Sequence, residues 1–155
     1  KSFCKKNKIN YGILRYFNIA GSSPSGKIGL INKSDHLFKN YSKEIMKQKP
    51  VLKVYGNDYN TADGSCIRDF IHVNDIVSAV EIMMNNTFRG VVDVGTGISN
   101  KLVDIVDYFK IDYKSVIGGE TERIDNTADT SILNKFGWRA KINLYDYIEQ
   151  NKVVN

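Results

Sequence analysis

The hydrophobic positions along this chain fall into two kinds of segment, short compact runs and longer stretches with helical spacing. Compact runs at 11–17, 51–55 and 91–94 are rich in aromatic and β-branched residues, which is typical of strands, and the run at 11–17 suits a buried strand. In the segments that begin near Ser34 and near Ile76, apolar residues recur every three or four positions, which predicts helices. Strands that alternate with helices indicate an α/β fold.

Two of the predicted helices follow polar residues that are suited to cap a helix N-terminus. The candidates are Ser34 or Asp35 for the first helix and Asn74 or Asp75 for the second. Pro50 closes the first helical region, because proline interrupts a helix. The second helix carries Met83 and Met84, and we interpret both as core packing rather than as a cofactor contact.

The last third of the chain continues the alternation of strand and helix. The strand at 91–94 leads into a glycine-containing turn at 95–97 and then into a third helix. The predicted buried face of that helix consists of Leu102, Ile105, Val106 and Phe109. Two shorter helices are predicted around 130–136 and 143–151.

The turn after the third strand has the context of a dinucleotide-binding fingerprint but not its residues. Gly95, Thr96 and Gly97 lie between a strand and a helix, as that fingerprint requires. Asn100 stands where the third glycine belongs, and no acidic residue follows at a spacing of about 20 positions. The pattern therefore favours a helix-capping turn over a cofactor site.

The composition restricts the protein class without identifying a chemistry. A chain of 155 residues with 42% hydrophobic content matches one globular domain or one lobe of a larger enzyme. No apolar run approaches the roughly 20 residues of a membrane span, and no apolar signal core is present, so a cytoplasmic protein without a membrane partner is expected. The net charge of +5 comes from scattered lysines, which indicates a solvated basic surface rather than a nucleic-acid site.

The residues that commonly carry catalysis or bind metals are sparse. Cys4 and Cys66 lack metal-ligand spacing, so we interpret them as reduced thiols and expect no metal site. His36 and His72 have no acid, serine or cysteine partner at motif spacing, and each taken alone is expected to be structural. The turn-rich stretch at 56–66 is long for a connection, and loops of that length tend to be functional.

Four segments carry a family resemblance that covers nearly the whole chain from Leu14. LRYFNIAGSSPSG at 14–26 and VYGNDYNTADGSCIRDFIHVNDI at 54–76 resemble UDP-glucose 4-epimerases of the extended short-chain dehydrogenase/reductase family. VVDVGTGISNKLVDIV at 91–106 and ADTSILNKFGW at 128–138 are similar to later segments of the same enzymes. The resemblance implies that residues 1–155 form a single C-terminal substrate-binding region whose strands complete a Rossmann-like sheet.

The resemblance implies ligand contacts directly after the first strand. Asn18 would contact the UDP-sugar, and Phe17 would lie against the nicotinamide cofactor. The position suits both roles, because α/β folds bind ligands at the carboxyl ends of their strands. The alternatives are a turn-capping amide for Asn18 and a core aromatic residue for Phe17.

Two further segments are implied to hold the phosphates and the base. His36 and Leu37 stand where the family usually has an Asn-Leu pair at a helix start, a place suited to phosphate. The strand with Lys53 and Tyr55 matches the one whose backbone edge pairs with uracil, and the Tyr55 ring can stack on a base.

Arg68 is implied to bind the pyrophosphate, because a guanidinium fork suits that group. The alternative is a surface arginine paired with Asp69 or Asp75. The clearest departure from the family is GGETER at 118–123, where an Arg-Arg-x-Gly-Asp-like stretch is usual. Glu122 stands near the acidic position, and Arg123 is the candidate for reaching the phosphates instead.

The reaction implied by the resemblance needs NAD on a glycine-rich loop and a Tyr-x-x-x-Lys pair that moves the sugar proton. Neither motif occurs in this sequence, and in the family both precede the RYFN strand. The chain is thus expected to bind UDP-hexose for an epimerase that interconverts UDP-glucose and UDP-galactose through a 4-keto intermediate, and to be inactive alone. Expected partners are a separate or contiguous N-terminal half and a second copy in a homodimer.

Two other interpretations of the sequence remain open. In one, the chain is a truncated, non-catalytic remnant that binds UDP weakly. In the other, it belongs to a relative that acts on UDP-N-acetylhexosamines, as a 4-epimerase or a dehydratase.

Overall fold

A computed structural model describes residues 1–29, 36–119 and 122–151 of the chain. In chain order its elements are α1 (Ser2–Lys6), β1 (Gly12–Tyr16), β2 (Asn18–Ala20), α2 (Leu37–Glu44), β3 (Val51–Tyr55), β4 (Ile67–Arg68), β5 (Phe70–His72), α3 (Val73–Met84), β6 (Gly90–Val94), β7 (Asn100–Lys101), α4 (Leu102–Phe109), β8 (Asp112–Val116), β9 (Asp125–Asn126), α5 (Ser131–Lys135) and α6 (Leu144–Gln150). The α/β prediction is confirmed.

Parallel pairing dominates the strands. β1 pairs with β6, β2 with β5 and β3 with β8, each in parallel. The short strand β4 lies between β7 and β9, antiparallel to β7 and parallel to β9. Parallel neighbours end at the same edge, so the residues that follow these strands are brought together.

Two hydrophobic clusters lie on opposite sides of β5. Phe70 belongs to a cluster with β3 and α4, whereas its neighbour Ile71 belongs to a cluster with α3, β6 and Trp138. Successive side chains of a strand point to opposite faces, which explains how one short strand contributes to both cores. The site described below lies next to the cluster that contains Phe70.

The predicted strands at 51–55 and 91–94 and the helix that begins at Leu102 are confirmed. The run at 11–17 forms β1 within those bounds, but the prediction that this strand is buried is wrong, because each of its residues is exposed or half-buried. Ile105, Val106 and Phe109 are buried, and Leu102 packs against their cluster. The two C-terminal helices are also present, each slightly shorter than predicted. None of the helices in the described ranges is long and apolar enough to span a bilayer.

The predicted caps of the second helix are wrong. α3 begins at Val73, and the imidazole Nδ1 of His72 accepts a hydrogen bond from the Asn74 backbone at 3.2 Å. The Asp75 carboxylate instead accepts from the backbone N–H groups of Lys141 and Ile142, at 3.1 and 3.0 Å. Asp75 therefore fastens α3 to the C-terminal segment, a tertiary role that local sequence does not reveal.

Other helix details also differ from the prediction. The candidate caps Ser34 and Asp35 of α2 lie outside the described residues, and α2 ends at Glu44, well before Pro50. Met83 is buried as predicted, but Met84 is 79% exposed, because adjacent helix positions face different directions.

The Gly95–Gly97 turn is not the cap of α4, which corrects a further prediction. α4 begins at Leu102, and its N-cap position is Lys101. Between the turn and the helix, β7 pairs with β4, so tertiary pairing displaces the helix start from the turn.

Candidate functional site

A cavity of about 620 Å³ opens where several strands end. Of the nine predicted binding residues, seven line it. These seven are Phe17, Asn18, His36, Leu37, Tyr55, Arg68 and Glu122. Lys53 and Arg123 are not in its wall; the Lys53 side chain is exposed on β3, and the Arg123 backbone carbonyl accepts a hydrogen bond from Arg68.

The connection between β1 and β2 positions Phe17 and Asn18 in the wall. The Phe17 backbone donates to the Val94 carbonyl at 3.2 Å, and the Asn18 backbone donates to the Asp69 carbonyl at 3.0 Å. The chain thus passes from one strand pair to the next at this point, and both side chains are half-buried at the strand ends.

His36 is the N-cap residue of α2, and its imidazole is unusual. Both ring nitrogens are buried, and neither has a hydrogen-bond partner among the described residues. The rings of Phe38 and Phe70 lie 6.2 and 6.4 Å from it between centroids. Burial lowers the pKa of His36, which favours the neutral imidazole with one donor and one acceptor nitrogen.

Aromatic side chains from β3 and the following loop form another part of the wall. Tyr55 ends β3 and is 53% exposed, so its ring is accessible for stacking. Tyr59 packs between Gly56 and Gly118, where an added Cβ would come within 2.1 Å of its ring or hydroxyl. The Tyr59 hydroxyl also donates to the Gly119 carbonyl at 3.2 Å.

Tyr59 was not among the predicted site residues. The signal available in the sequence was an aromatic residue inside the long loop at 56–66, with a glycine at the loop start. The second glycine that encloses its ring comes from a segment nearly 60 positions away, and only the fold brings it near.

Arg68 is buried, and the protein itself satisfies much of its guanidinium. Nη1 donates to the carbonyls of Ile67 at 2.8 Å and Arg123 at 2.7 Å, and Nη2 pairs with the Glu122 carboxylate. The alternative pairing of Arg68 with Asp69 or Asp75 is wrong, since each of those carboxylates binds backbone N–H groups elsewhere.

Cys66 lies in the same wall and is a free, buried thiol. Burial raises the pKa of Cys66, while the nearby Arg68 guanidinium acts in the opposite direction. The protonated thiol is therefore favoured, which makes it a poor nucleophile. Cys4 is also a free thiol.

Comparison with known proteins identifies the family of this chain. Residues 1–95 match the model of the NAD dependent epimerase/dehydratase family. The chain therefore belongs to this family. A UDP-glucose 4-epimerase from Dictyostelium discoideum is 34% identical over 149 residues, which span 86% of this chain and 43% of that protein.

A second relative and a solved structure agree with the family assignment. UDP-arabinose 4-epimerase 1 from Arabidopsis thaliana is 32% identical, with 95% of this chain and 39% of that protein covered. A crystal structure of a UDP-glucose-4-epimerase from Stenotrophomonas maltophila, with bound NAD and formylated UDP-arabinopyranose, has a TM-score of 0.81 and 26% identity. The alignment covers 94% of this chain and 47% of that one, so the chain spans about half or less of these relatives.

The glycine turn of this family member does not fit a cofactor pyrophosphate. The backbone N–H groups of Thr96 and Gly97, which such a site would offer to phosphate, donate to the Asp69 carboxylate at 2.9 and 2.8 Å. The Ala128 backbone donates to the same carboxylate at 3.2 Å. Phe17 lines the cavity, and its contact with a nicotinamide cofactor stays a prediction.

Proposed function

We propose that this chain is the UDP-sugar-binding part of an NAD-dependent UDP-glucose 4-epimerase, which interconverts UDP-glucose and UDP-galactose through a 4-keto intermediate. The observation that supports this most directly is the meeting of seven predicted contact residues around one cavity. These residues come from positions 17 to 122, so their proximity is a property of the fold and not of sequence spacing.

Within the proposal, the nucleotide lies across the strand ends. The exposed ring of Tyr55 stacks on uracil, and the backbone of β3 at Lys53 pairs with the base edge. Arg68 binds the diphosphate with His36 and Leu37 at the start of α2, and Arg123 approaches the phosphates from outside the wall. Asn18 contacts the sugar, and Glu122 lines the cavity wall beside Arg68.

The diphosphate and base contacts are remote from the reacting sugar carbon. Binding energy from those contacts holds the substrate while the hexose itself stays free to turn. NAD, bound against Phe17 and mainly by an N-terminal half, would supply the hydride acceptor. The chain has no Tyr-x-x-x-Lys pair, so we expect no proton transfer and no epimerisation by residues 1–155 alone.

Isothermal titration with UDP tests the binding site. Replacing Tyr55 with alanine removes a half-exposed ring, so the fold is kept while UDP affinity falls about fivefold to a hundredfold. The matched control is Tyr113→Ala on β8, which lies outside the cavity. Arg68→Ala is expected to abolish measurable UDP binding. The matched control is Arg89→Ala, directly before β6 and outside the cavity, which should leave UDP binding unchanged.

The outcomes separate the candidate functions. A well-folded chain that binds no UDP, or binds it equally well after Tyr55→Ala, would contradict the proposed site. UDP binding without activity, even after an N-terminal half with the missing motifs is added, would favour the truncated remnant. Stronger competition by UDP-N-acetylglucosamine than by UDP-glucose would favour the relative that acts on N-acetylated sugars.

The proposed N-terminal half also predicts solution behaviour. In the described residues, β1 pairs with β6 alone, and Tyr16 on β1 is 49% exposed. A free strand edge with exposed aromatic surface favours association. We therefore expect residues 1–155 expressed alone to be poorly soluble, so the binding and unfolding experiments use dilute protein, and a chain that stays monomeric at high concentration would contradict this. In the complete enzyme a homodimer is expected, and light scattering measures it.

A further inference from the structure

The guanidinium of Arg68 is bound by groups of the protein itself. Its Nη1 nitrogen donates to the carbonyls of Ile67 and Arg123, and its Nη2 nitrogen donates to the carboxylate of Glu122. Glu122 is thus the anion bound at the place where the proposed function puts the diphosphate.

The two partners of this ion pair differ greatly in burial. The Arg68 side chain is 9% exposed, and the Glu122 side chain is 53% exposed. A buried guanidinium without an anion is strongly unfavourable, whereas a carboxylate that is half in water regains its hydration easily. Glu122 is therefore the partner that moves when another anion replaces it at Arg68.

The formal charges of the cavity wall also indicate that an anionic ligand would have to displace Glu122. Among the described lining residues, Arg68 and Glu122 are the ones that carry a formal charge, and their charges cancel. An anionic ligand consequently meets a site without net positive charge as long as Glu122 stays in place. A ligand with two phosphate groups gains more at Arg68 than the single carboxylate does, but an uncharged nucleoside gains nothing there.

We infer that Glu122 is an internal competitor for Arg68, which a diphosphate displaces and an uncharged nucleoside does not. Glu122 thereby sets the charge requirement of the site, a different role from the direct nucleotide contact that its position suggested. The inference rests on the proposed function, because it places a nucleotide diphosphate in this cavity.

The test is isothermal titration of the 155-residue chain with UDP, which carries a diphosphate, and with uridine, which carries none. Glu122→Gln keeps the shape of the side chain and a carbonyl acceptor for Arg68 but removes the charge. We expect UDP to bind the variant about three to ten times more tightly than the wild type, with the affinity for uridine unchanged. Glu81→Gln, on the exposed face of α3, is the matched control and should change neither affinity.

Each outcome of the titration supports or overturns the inference that Glu122 competes with the ligand for Arg68. Equal UDP affinity in wild type and Glu122→Gln would overturn the inference and leave the proposed function intact. Weaker UDP binding by the variant would also overturn it and make Glu122 a direct contact. Binding of UDP by neither protein would overturn the inference together with the proposed function. If the glutamine variant fails to fold, Glu122→Ala, which should also tighten UDP binding, decides instead.

Discussion

Asp69 offers the sharpest test of how the site is held in place. Its carboxylate is fully buried, and no cationic side chain among residues 1–29, 36–119 and 122–151 forms an ion pair with it. It accepts hydrogen bonds from the Thr96 backbone at 2.9 Å and hydroxyl at 2.5 Å, and from the backbones of Gly97 at 2.8 Å and Ala128 at 3.2 Å. Its own carbonyl accepts from Asn18, so one residue connects the glycine turn, the C-terminal segment and the cavity wall.

Replacing Asp69 with alanine would leave these buried donors without an acceptor. Each unsatisfied buried donor costs about 1–3 kcal/mol, and water that enters the space satisfies part of the set. We therefore expect the free energy of unfolding to fall by about 3–5 kcal/mol, a large share of the roughly 5–15 kcal/mol of a typical domain.

Urea unfolding followed by the fluorescence of Trp138 measures this change. Trp138 is the chain's one tryptophan and is 4% exposed, so its emission reports the loss of the core. The matched control is Asp112→Ala at the exposed start of β8, which should change stability by less than about 0.5 kcal/mol. A loss below about 1 kcal/mol for Asp69→Ala, or one equal to the control, would refute the reasoning.

Three further predictions address the core, a helix end and pH. Leu52→Ala should lower the free energy of unfolding in urea by about 2–4 kcal/mol, since Leu52 is 1% exposed, and Val51→Ala on the outer face by less than about 1 kcal/mol. Lys110→Gly should raise stability by about 0.5–1 kcal/mol in calorimetry, because Lys110 ends α4 with a φ of 55°, which favours glycine. Burial lowers the pKa of His36, so its contribution to stability is complete above the ordinary histidine pKa of about 6.5 and is lost as pH falls from there toward the folded pKa. In His36→Asn, the melting temperature should therefore decrease less between about pH 7.5 and about pH 5.5 than in the wild type. An equal decrease would contradict this and point to His72, because burial lowers the pKa of that histidine too.

Elements with a strong local pattern could be predicted from the sequence. The run VLKVY predicts the strand β3 within its observed bounds, and the helical spacing of α4 gives the buried residues Ile105, Val106 and Phe109. The errors lie where a distant segment decides the local structure. His72 rather than Asn74 caps α3, because Asp75 is held by the backbone at 141 and 142.

The candidate site was predictable in its parts but not in its connections. The resemblance supplied seven residues that line the cavity, because the motif segments at 14–26 and 54–76 contain most of them. Tyr59 and the binding of the glycine turn by Asp69 were missed, since each depends on contacts between segments far apart in the chain. Sequence spacing carries no information about such contacts.

The three-stranded sheet around β4 explains why these distant contacts converge on Arg68. β4 is two residues long, yet Arg68 pairs with Asn100 on one side and with Asn126 on the other. The Asn100 amide donates to the Arg68 carbonyl at 3.3 Å, and the Asp69 backbone donates to the Asn126 carbonyl at 3.0 Å. Both neighbours fix the Arg68 backbone, and the carbonyls of Ile67 and Arg123 hold its guanidinium. A buried, hydrogen-bonded cation opposite a half-exposed carboxylate is the arrangement in which the anion, rather than the arginine, exchanges with a ligand.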